Sequence, residues 1–404
     1  MSDPHAEGAR PRWILPVIVL SQFAGTSLWF AGNAVLPELQ REWNLPPDSI
    51  GYITSAVQFG FILGTLVFAF FAVSDRYSPR IVFFVCSLLG GVSGLGIFIA
   101  SDFLNLLLSR FLTGFFLAGV YPVGMKIAAG WYRSGLGSAI GFLVGALVLG
   151  TAFPHLLKGL GQSIPWETVT VAVSATAMIG GVAMLRFVPD GPHLTQGARF
   201  DPAALAVIFR SRDFRASALG YFGHMWELYA FWAFVPFAIT AHAAQTSGAD
   251  LNVAFWSFLV IAAGAVGCAV GGVLSLTAGS ARVAFVQLFA SGVCCLASPL
   301  FYYAPTPAFL AFLIFWGVVV VGDSPQFSAL NAQNAPRALV GSALTIANCI
   351  GFAITIFSIQ LLNALAGLIP TAYLFLPLTL GPVLGLMAMS PLLRPRHAGE
   401  TVRR

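Results

Sequence analysis

Charge is what this sequence has least of. Asp, Glu, Lys and Arg make up 9% of its 404 residues and hydrophobic types 58%, whereas soluble domains carry about 25% charged residues. Too few polar groups remain to cover a globule of this length in water. A soluble enzyme, a disordered chain and a nucleic-acid-binding protein are excluded on that ground. Cysteine is scarce as well: Cys86, Cys268, Cys294, Cys295 and Cys349 all fall inside apolar runs, so neither a disulfide framework nor paired metal-ligand spacing is present. The six histidines are scattered without ligand spacing, and there is no Walker motif or groupable Ser, His and Asp set. The first residues, MSDPHAEGARPR, lack the short apolar region and small-residue cleavage site of a signal peptide. No enzyme, cofactor or metal is expected. What remains is an integral membrane protein whose constant partner is the lipid bilayer.

A helix needs about 20 predominantly apolar residues to cross the hydrocarbon core. Twelve such segments are predicted: 14–36, 50–73, 80–100, 103–131, 135–157, 166–187, 214–240, 252–277, 282–303, 307–331, 338–366 and 370–393. They divide the chain into a six-helix half over 1–188, a polar and basic central loop over 189–213, and a second six-helix half over 214–404. The fold class is therefore all-α, as two related bundles. Of the 20 basic residues, 16 lie on the side shared by both termini and the central loop, while the opposite loops hold only Arg41 and Lys158. The bias of Lys and Arg places that richer side in the cytoplasm, and a bacterial inner membrane is the expected location.

The halves echo each other. RSGLGSA, from Arg133 to Ala139, recurs as RALVGSA, from Arg337 to Ala343, and Pro122 finds its match in Pro325. Both matches fall at an offset of about half the chain, as a duplicated transporter unit would give. The loop FAVSDRYSPR after the second span is similar to the G-x-L-x-D-R-x-G-R-R signature of the major facilitator superfamily, with Asp75, Arg76 and Arg80 on its charged positions and Phe71 and Ser78 where glycines are usual. LLLSRFLTG in the fourth span resembles the Arg-x-x-x-Gly element of that family at Arg110 and Gly114. The resemblance covers all twelve spans. It implies two halves rocking about a central site, a seam made by spans 2, 5, 8 and 11, a cavity lined by spans 1, 4, 7 and 10, and function as a monomer. The Gly-Pro pair of exporters is missing from span 5.

Asp75, Arg76 and Arg80 are expected to latch the cytoplasmic gate, with Asp75 favoured near the start of span 11 by the helix dipole; the plainer alternative is that the arginines only set topology. Glycines four residues apart, Gly137, Gly141 and Gly145 on span 5, Gly60 and Gly64 on span 2, and Gly267 and Gly271 on span 8, suit close helix approach. They serve either a sliding seam or static packing.

Ionisable groups within the bilayer are costly and mark function by default. Arg110 lies roughly 10 Å into span 4 at 1.5 Å per residue, where it would bind an anion or pair with a carboxylate. Lys126 sits near the other end of that span, after Tyr121 and Pro122, whose proline suggests a kink. On span 7, His224 and Glu227 share a helix face, with Tyr221 one turn earlier. Glu227 is the expected proton-coupling carboxylate, with His224 as a partner that exchanges protons near neutral pH. Asp323 on span 10, followed by Pro325 and Gln326, would pair with Lys126 or Arg110, or else cap a broken helix. Trp29, Asn33 and Asn348 are further cavity candidates, with helix packing as the alternative. The abundant phenylalanine reads as lipid-facing.

The expectation is a secondary transporter for a small solute, working by alternating access around a site between the halves and coupled to protons. The cation-rich cavity favours a small anion. The alternatives are a proton-driven exporter of lipophilic or cationic compounds and a solute sensor that kept the scaffold without turnover.

Overall fold

The structure is a computed structural model describing residues 11–132, 136–161, 164–194, 200–202, 204–246 and 251–393. Arg10, Arg133, Arg199, Arg394, Arg396, Arg403 and Arg404, and with Arg133 the whole RSG part of the first repeat, lie outside the described residues. Eleven helices are long and apolar enough to cross a membrane: span 1 Ile14–Glu42, span 2 Ser49–Phe70, span 3 Pro79–Ile99, span 4 Phe103–Trp131, span 5 Leu136–Gly159, span 6 Trp166–Phe187, span 8 Val253–Ala278, span 9 Ser280–Tyr302, span 10 Thr306–Asn334, span 11 Arg337–Leu365 and span 12 Thr371–Leu393. Span 7, Arg212–Gln245, completes twelve among the described residues. Its Tyr, Trp, His and Glu residues lower its hydropathy, although most of its side chains are buried by protein.

Spans 1, 4 and 10 are broken near their middle, each for a local reason. Span 4 divides into Phe103–Leu117 and Tyr121–Trp131, and span 10 into Thr306–Gly322 and Ser324–Asn334. In both, a proline, Pro122 or Pro325, begins the second piece. Proline cannot donate to the helix ladder but is tolerated in a first turn. Span 1 divides into Ile14–Thr26 and Ala31–Glu42 without a proline at the break. There the hydroxyls of Thr26 and Ser27 donate back to the carbonyls of Gln22 and Ala24 at 2.8 and 2.7 Å, competing with the ladder. That break had no expectation in the sequence.

Within residues 14–187, span 2 packs on span 4, span 3 on span 6, and span 1 on spans 5 and 6. Within residues 212–393, span 7 packs on span 12, and span 8 on span 10. The two sets meet where span 5 lies along span 8 and span 2 along span 11, as the family resemblance implies. The expected glycine seam needs correction. A methyl on Gly60, Gly64 or Gly114 would overlap backbone between spans 2 and 4, and one on Gly267 would overlap the backbone of Val318 on span 10. These glycines tighten pairs inside each set. Gly137, Gly141 and Gly145 have no atom near the position a Cβ would take.

The meeting face is tied by direct contacts at one end. At the end opposite the arginine-rich loops, Asn252 Nδ2 donates to the Gly159 carbonyl at 2.7 Å and Gln360 Nε2 to Ser55 Oγ at 2.8 Å. Gly51 abuts Asn363 there, and Gly159 abuts Phe255. At the arginine-rich end, Gly137, Gly141, Gly272 and Gly341 face open space. The central loop is more than a polar linker: Ala204–Ile208 is a short helix whose Ala204 and Ile208 pack against Phe214, Ala335, Ala343 and Ile346.

Candidate functional site

Arg110 is 4% exposed. Its Nη2 donates to the carbonyls of Leu28 and Trp29 at 2.9 and 2.8 Å, the groups that the break in span 1 frees from the helix ladder. Its Nε has no partner and lies against Gly32. Among the described residues no carboxylate stands within ion-pair distance of it. A void of about 10 Å³ beside Arg110, Gly32 and Ser174 is the size of one water.

Lys126 reaches the other way. Its Nζ donates to Asp75 Oδ1 at 2.6 Å and to the Ser74 carbonyl at 2.7 Å. The carboxylate expected beside span 11 is therefore held on span 4, within the first six spans. Asp75 and Arg76 belong to a one-turn helix, Val73–Arg76, entered through Ala72 at φ 49°. Arg80 Nη1 approaches the Leu185 carbonyl at 3.5 Å, and Ser78 Oγ donates to Asp190 at 2.7 Å. Together they tie the loop after span 2 to the end of span 6.

Asp323 meets neither Lys126 nor Arg110. Its Oδ1 lies 2.8 Å from His224 Nδ1, with both side chains 1% exposed. The distance is that of an ion pair, but neither residue's polar atoms have an aligned hydrogen-bond partner. Nor does Asp323 cap the helix it precedes, since its carboxylate makes no cap hydrogen bond. His224 thus bridges spans 7 and 10 and does not pair with Glu227. Glu227 turns away to span 9 and the first piece of span 10: Ser291 Oγ and Trp316 Nε1 each donate to it at 2.7 Å, and Cys295 Sγ lies at 3.4 Å. Three neutral donors solvate that carboxylate where water is absent.

Rings fill the middle of the molecule. Trp29 stacks on Tyr229 of span 7 and Phe352 of span 11 with centroids 5.7 and 5.6 Å apart. Phe61 lies 4.5 Å from Phe352, and Trp232 packs on Phe30 and Tyr229. All six rings are buried. The reading of phenylalanine as lipid-facing missed this cluster; the run SLWF in span 1 and the run LYAFW in span 7 were its only signals. Trp29 Nε1 donates to Gln58 Oε1 at 3.3 Å, and Asn33 Nδ2 to Thr54 Oγ1 at 2.7 Å. Tyr221 packs on Gly351 and Gln326 is buried, whereas Tyr121 and Asn348 are half-buried on the arginine-rich side of the rings. A cleft of about 270 Å³ at the far end, lined by Glu38, Arg41, Glu42 and Trp166, is remote from these groups. Its acids bind Lys158 and the Trp166 indole.

Twelve spans in two packed sets, three of them broken at mid-depth, with a buried His224–Asp323 pair, form the kind of architecture on which secondary transporters are built. The family model described as Major Facilitator Superfamily matches residues 18–359, and the chain belongs to that family. It is similar to a D-galactonate transporter of Escherichia coli, 25% identical over 39% of this chain and 37% of that one. It is also similar to a probable sulfoacetate transporter, SauU, of Cupriavidus necator, 23% identical over 60% of each chain. A hexuronate transporter of Bacillus subtilis is 25% identical over 45% of this chain and 44% of its own. The matches thus span 37% to 60% of those relatives. Among solved structures, the proton:xylose symporter XylE bound to 6-bromo-6-deoxy-D-glucose superposes with a TM-score of 0.74, at 13% identity, over 94% of this chain and 95% of that one.

Proposed function

We propose that this transporter carries a small organic anion together with protons, by alternating access between bodies 1–188 and 214–404, and that the structure is its cytoplasm-open state. The His224–Asp323 pair carries the coupling part of the reading. An imidazole and a carboxylate in contact, sealed from water and bridging two spans of one half, form a site whose charge changes with one proton. The sequence favours Glu227 for this role, but its carboxylate lies apart from His224, on donors from spans 9 and 10. We assign Glu227 to holding spans 7, 9 and 10 together.

Arg110 supports an anionic cargo, because it brings a positive charge to the centre without a carboxylate partner. The named substrates of the relatives, galactonate, hexuronate and sulfoacetate, are all acids. Export of a lipophilic cation finds less support, since Asp323 and Glu227 are both engaged. Tyr121, Tyr221, Gln326 and Asn348 flank the route from the rings to the arginine-rich end, with Trp29 and Asn33 at its head. Lys126 holding Asp75 is the released position of the gate formed with Arg76 and Arg80. The bias of arginine puts that end in the cytoplasm of a bacterial inner membrane, and one chain supplies the whole path.

The test uses proteoliposomes with an internal pH dye, challenged with galactonate, glucuronate and sulfoacetate. An acid should drive proton movement in the wild type. Asp323→Asn should keep substrate counterflow and lose the proton signal, while Glu227→Gln keeps both. Unchanged proton flux in Asp323→Asn would remove the pair from coupling, and flux driven only by lipophilic cations would overturn the anion.

A further inference from the structure

We propose that the ring cluster is the collapsed form of a slot for a flat, apolar-faced carboxylate, an aromatic acid, in preference to a polyhydroxy acid. The inference rests on the anion-carrier reading and narrows its substrate class. Trp29 belongs to the first six spans, whereas Tyr229 and Phe352 belong to the last six. Their stacking at 5.7 and 5.6 Å is therefore a contact between the two bodies, and rocking parts the rings. Room for one inserted ring needs about 7 Å, two successive contacts of roughly 3.5 Å. A small opening of the seam suffices, and without cargo the apolar rings close on each other.

The polar atoms around the stack match one acidic end and little more. Arg110 grips the Trp29 backbone carbonyl, and Gln58 accepts from the Trp29 indole. Arg110 Nε, Gln58 Nε2 and, beyond Tyr229, Trp232 Nε1 are buried donors without partners. Asn33 Oδ1 is an open acceptor nearby. On the Trp29 side of the stack, two of these donors, the cationic Arg110 Nε and Gln58 Nε2, suit a carboxylate. A sugar acid brings several hydroxyls into the same space, and each one left unpaired after losing its water weakens binding. The phenylalanines of the cluster, Phe30, Phe61 and Phe352, offer such a ligand faces but no hydrogen bonds.

Binding is read from the thermal shift of the purified full chain with benzoate, D-gluconate or acetate, alongside proton flux in liposomes driven by gluconate. Benzoate should bind roughly tenfold or more tighter than the other two, the scale of an added aromatic contact. Phe352→Leu should lose that preference while still binding acetate, and Tyr229→Leu serves if that variant does not fold. Tighter binding of gluconate than benzoate overturns the slot, and gluconate-driven proton flux in the same preparation would leave the carrier reading standing. Benzoate binding untouched in both variants also overturns the slot. Benzoate binding that depends on Phe352, with no acid driving protons, would support the slot and sink the coupled carrier.

Discussion

His224 has a carboxylate one turn away on its own helix and another on span 10, and it meets the second. The spacing of His224 and Glu227 puts them on one face, but side chains of this length reach a neighbouring helix as easily. Glu227 is drawn off by Ser291 and Trp316. Removing its carboxylate should therefore cost stability more than coupling. Glu227→Ala strands buried donors, and a loss of about 1–3 kcal/mol is expected, read as a lowered Tm in detergent. Glu227→Gln, which can still accept from Trp316, should stay close to wild type. At Ala72, φ is 49°, a region where an L residue is strained and glycine is not. Ala72→Gly should raise stability by about 1 kcal/mol, and an unchanged or lowered Tm would count against strain at that turn.

Elements show which glycines matter. Spans 2 and 4, and spans 8 and 10, approach so closely that a Cβ at Gly114 or Gly267 would overlap the facing backbone. Gly267→Ala should force those spans apart and destabilise the protein by about 1–3 kcal/mol, the range for overpacking. Gly141 meets nothing, so Gly141→Ala should stabilise span 5 by about 0.5–1 kcal/mol through helix propensity alone. Equal effects of the two variants on Tm would show that the spacing of the glycines, not their surroundings, governs. Span 1 teaches the same lesson about breaks. Pro122 and Pro325 announce theirs in the sequence, whereas the interruption at Ser27–Phe30 depends on Arg110 receiving the freed carbonyls across the bundle.

For the whole molecule, the seam is tied at the Gly159 end, while Gly141 and Gly341 at the arginine-rich end have no neighbour at a Cβ position; on our reading that end is parted, and transport requires the reverse arrangement. A bulky side chain in the parted region should block that reversal without disturbing the present state. Gly141→Trp is expected to fold with near wild-type Tm, lose counterflow and keep its arginine-rich end accessible to thiol reagents at an introduced cysteine. Full counterflow in that variant would mean that span 5 does not close there.

Twelve spans and the crowding of arginine on one side were legible in the amino-acid order, because transfer of an apolar run into lipid depends on the run itself and loop charge is local; the ends of spans 1 and 7, expected at 36 and 240, run on to Glu42 and Gln245. Arg110, His224 and Asp323 stood out for the same reason, as ionisable groups in stretches that exclude them. Their partners were not legible. Whether Asp323 meets His224, Lys126 or Arg110, whether Gly60 faces span 4 or span 11, and whether Trp29 faces lipid or Tyr229 depend on how helices rotate and dock. That docking is settled by the packing of side chains far apart in the chain, and only the tertiary structure brings those together.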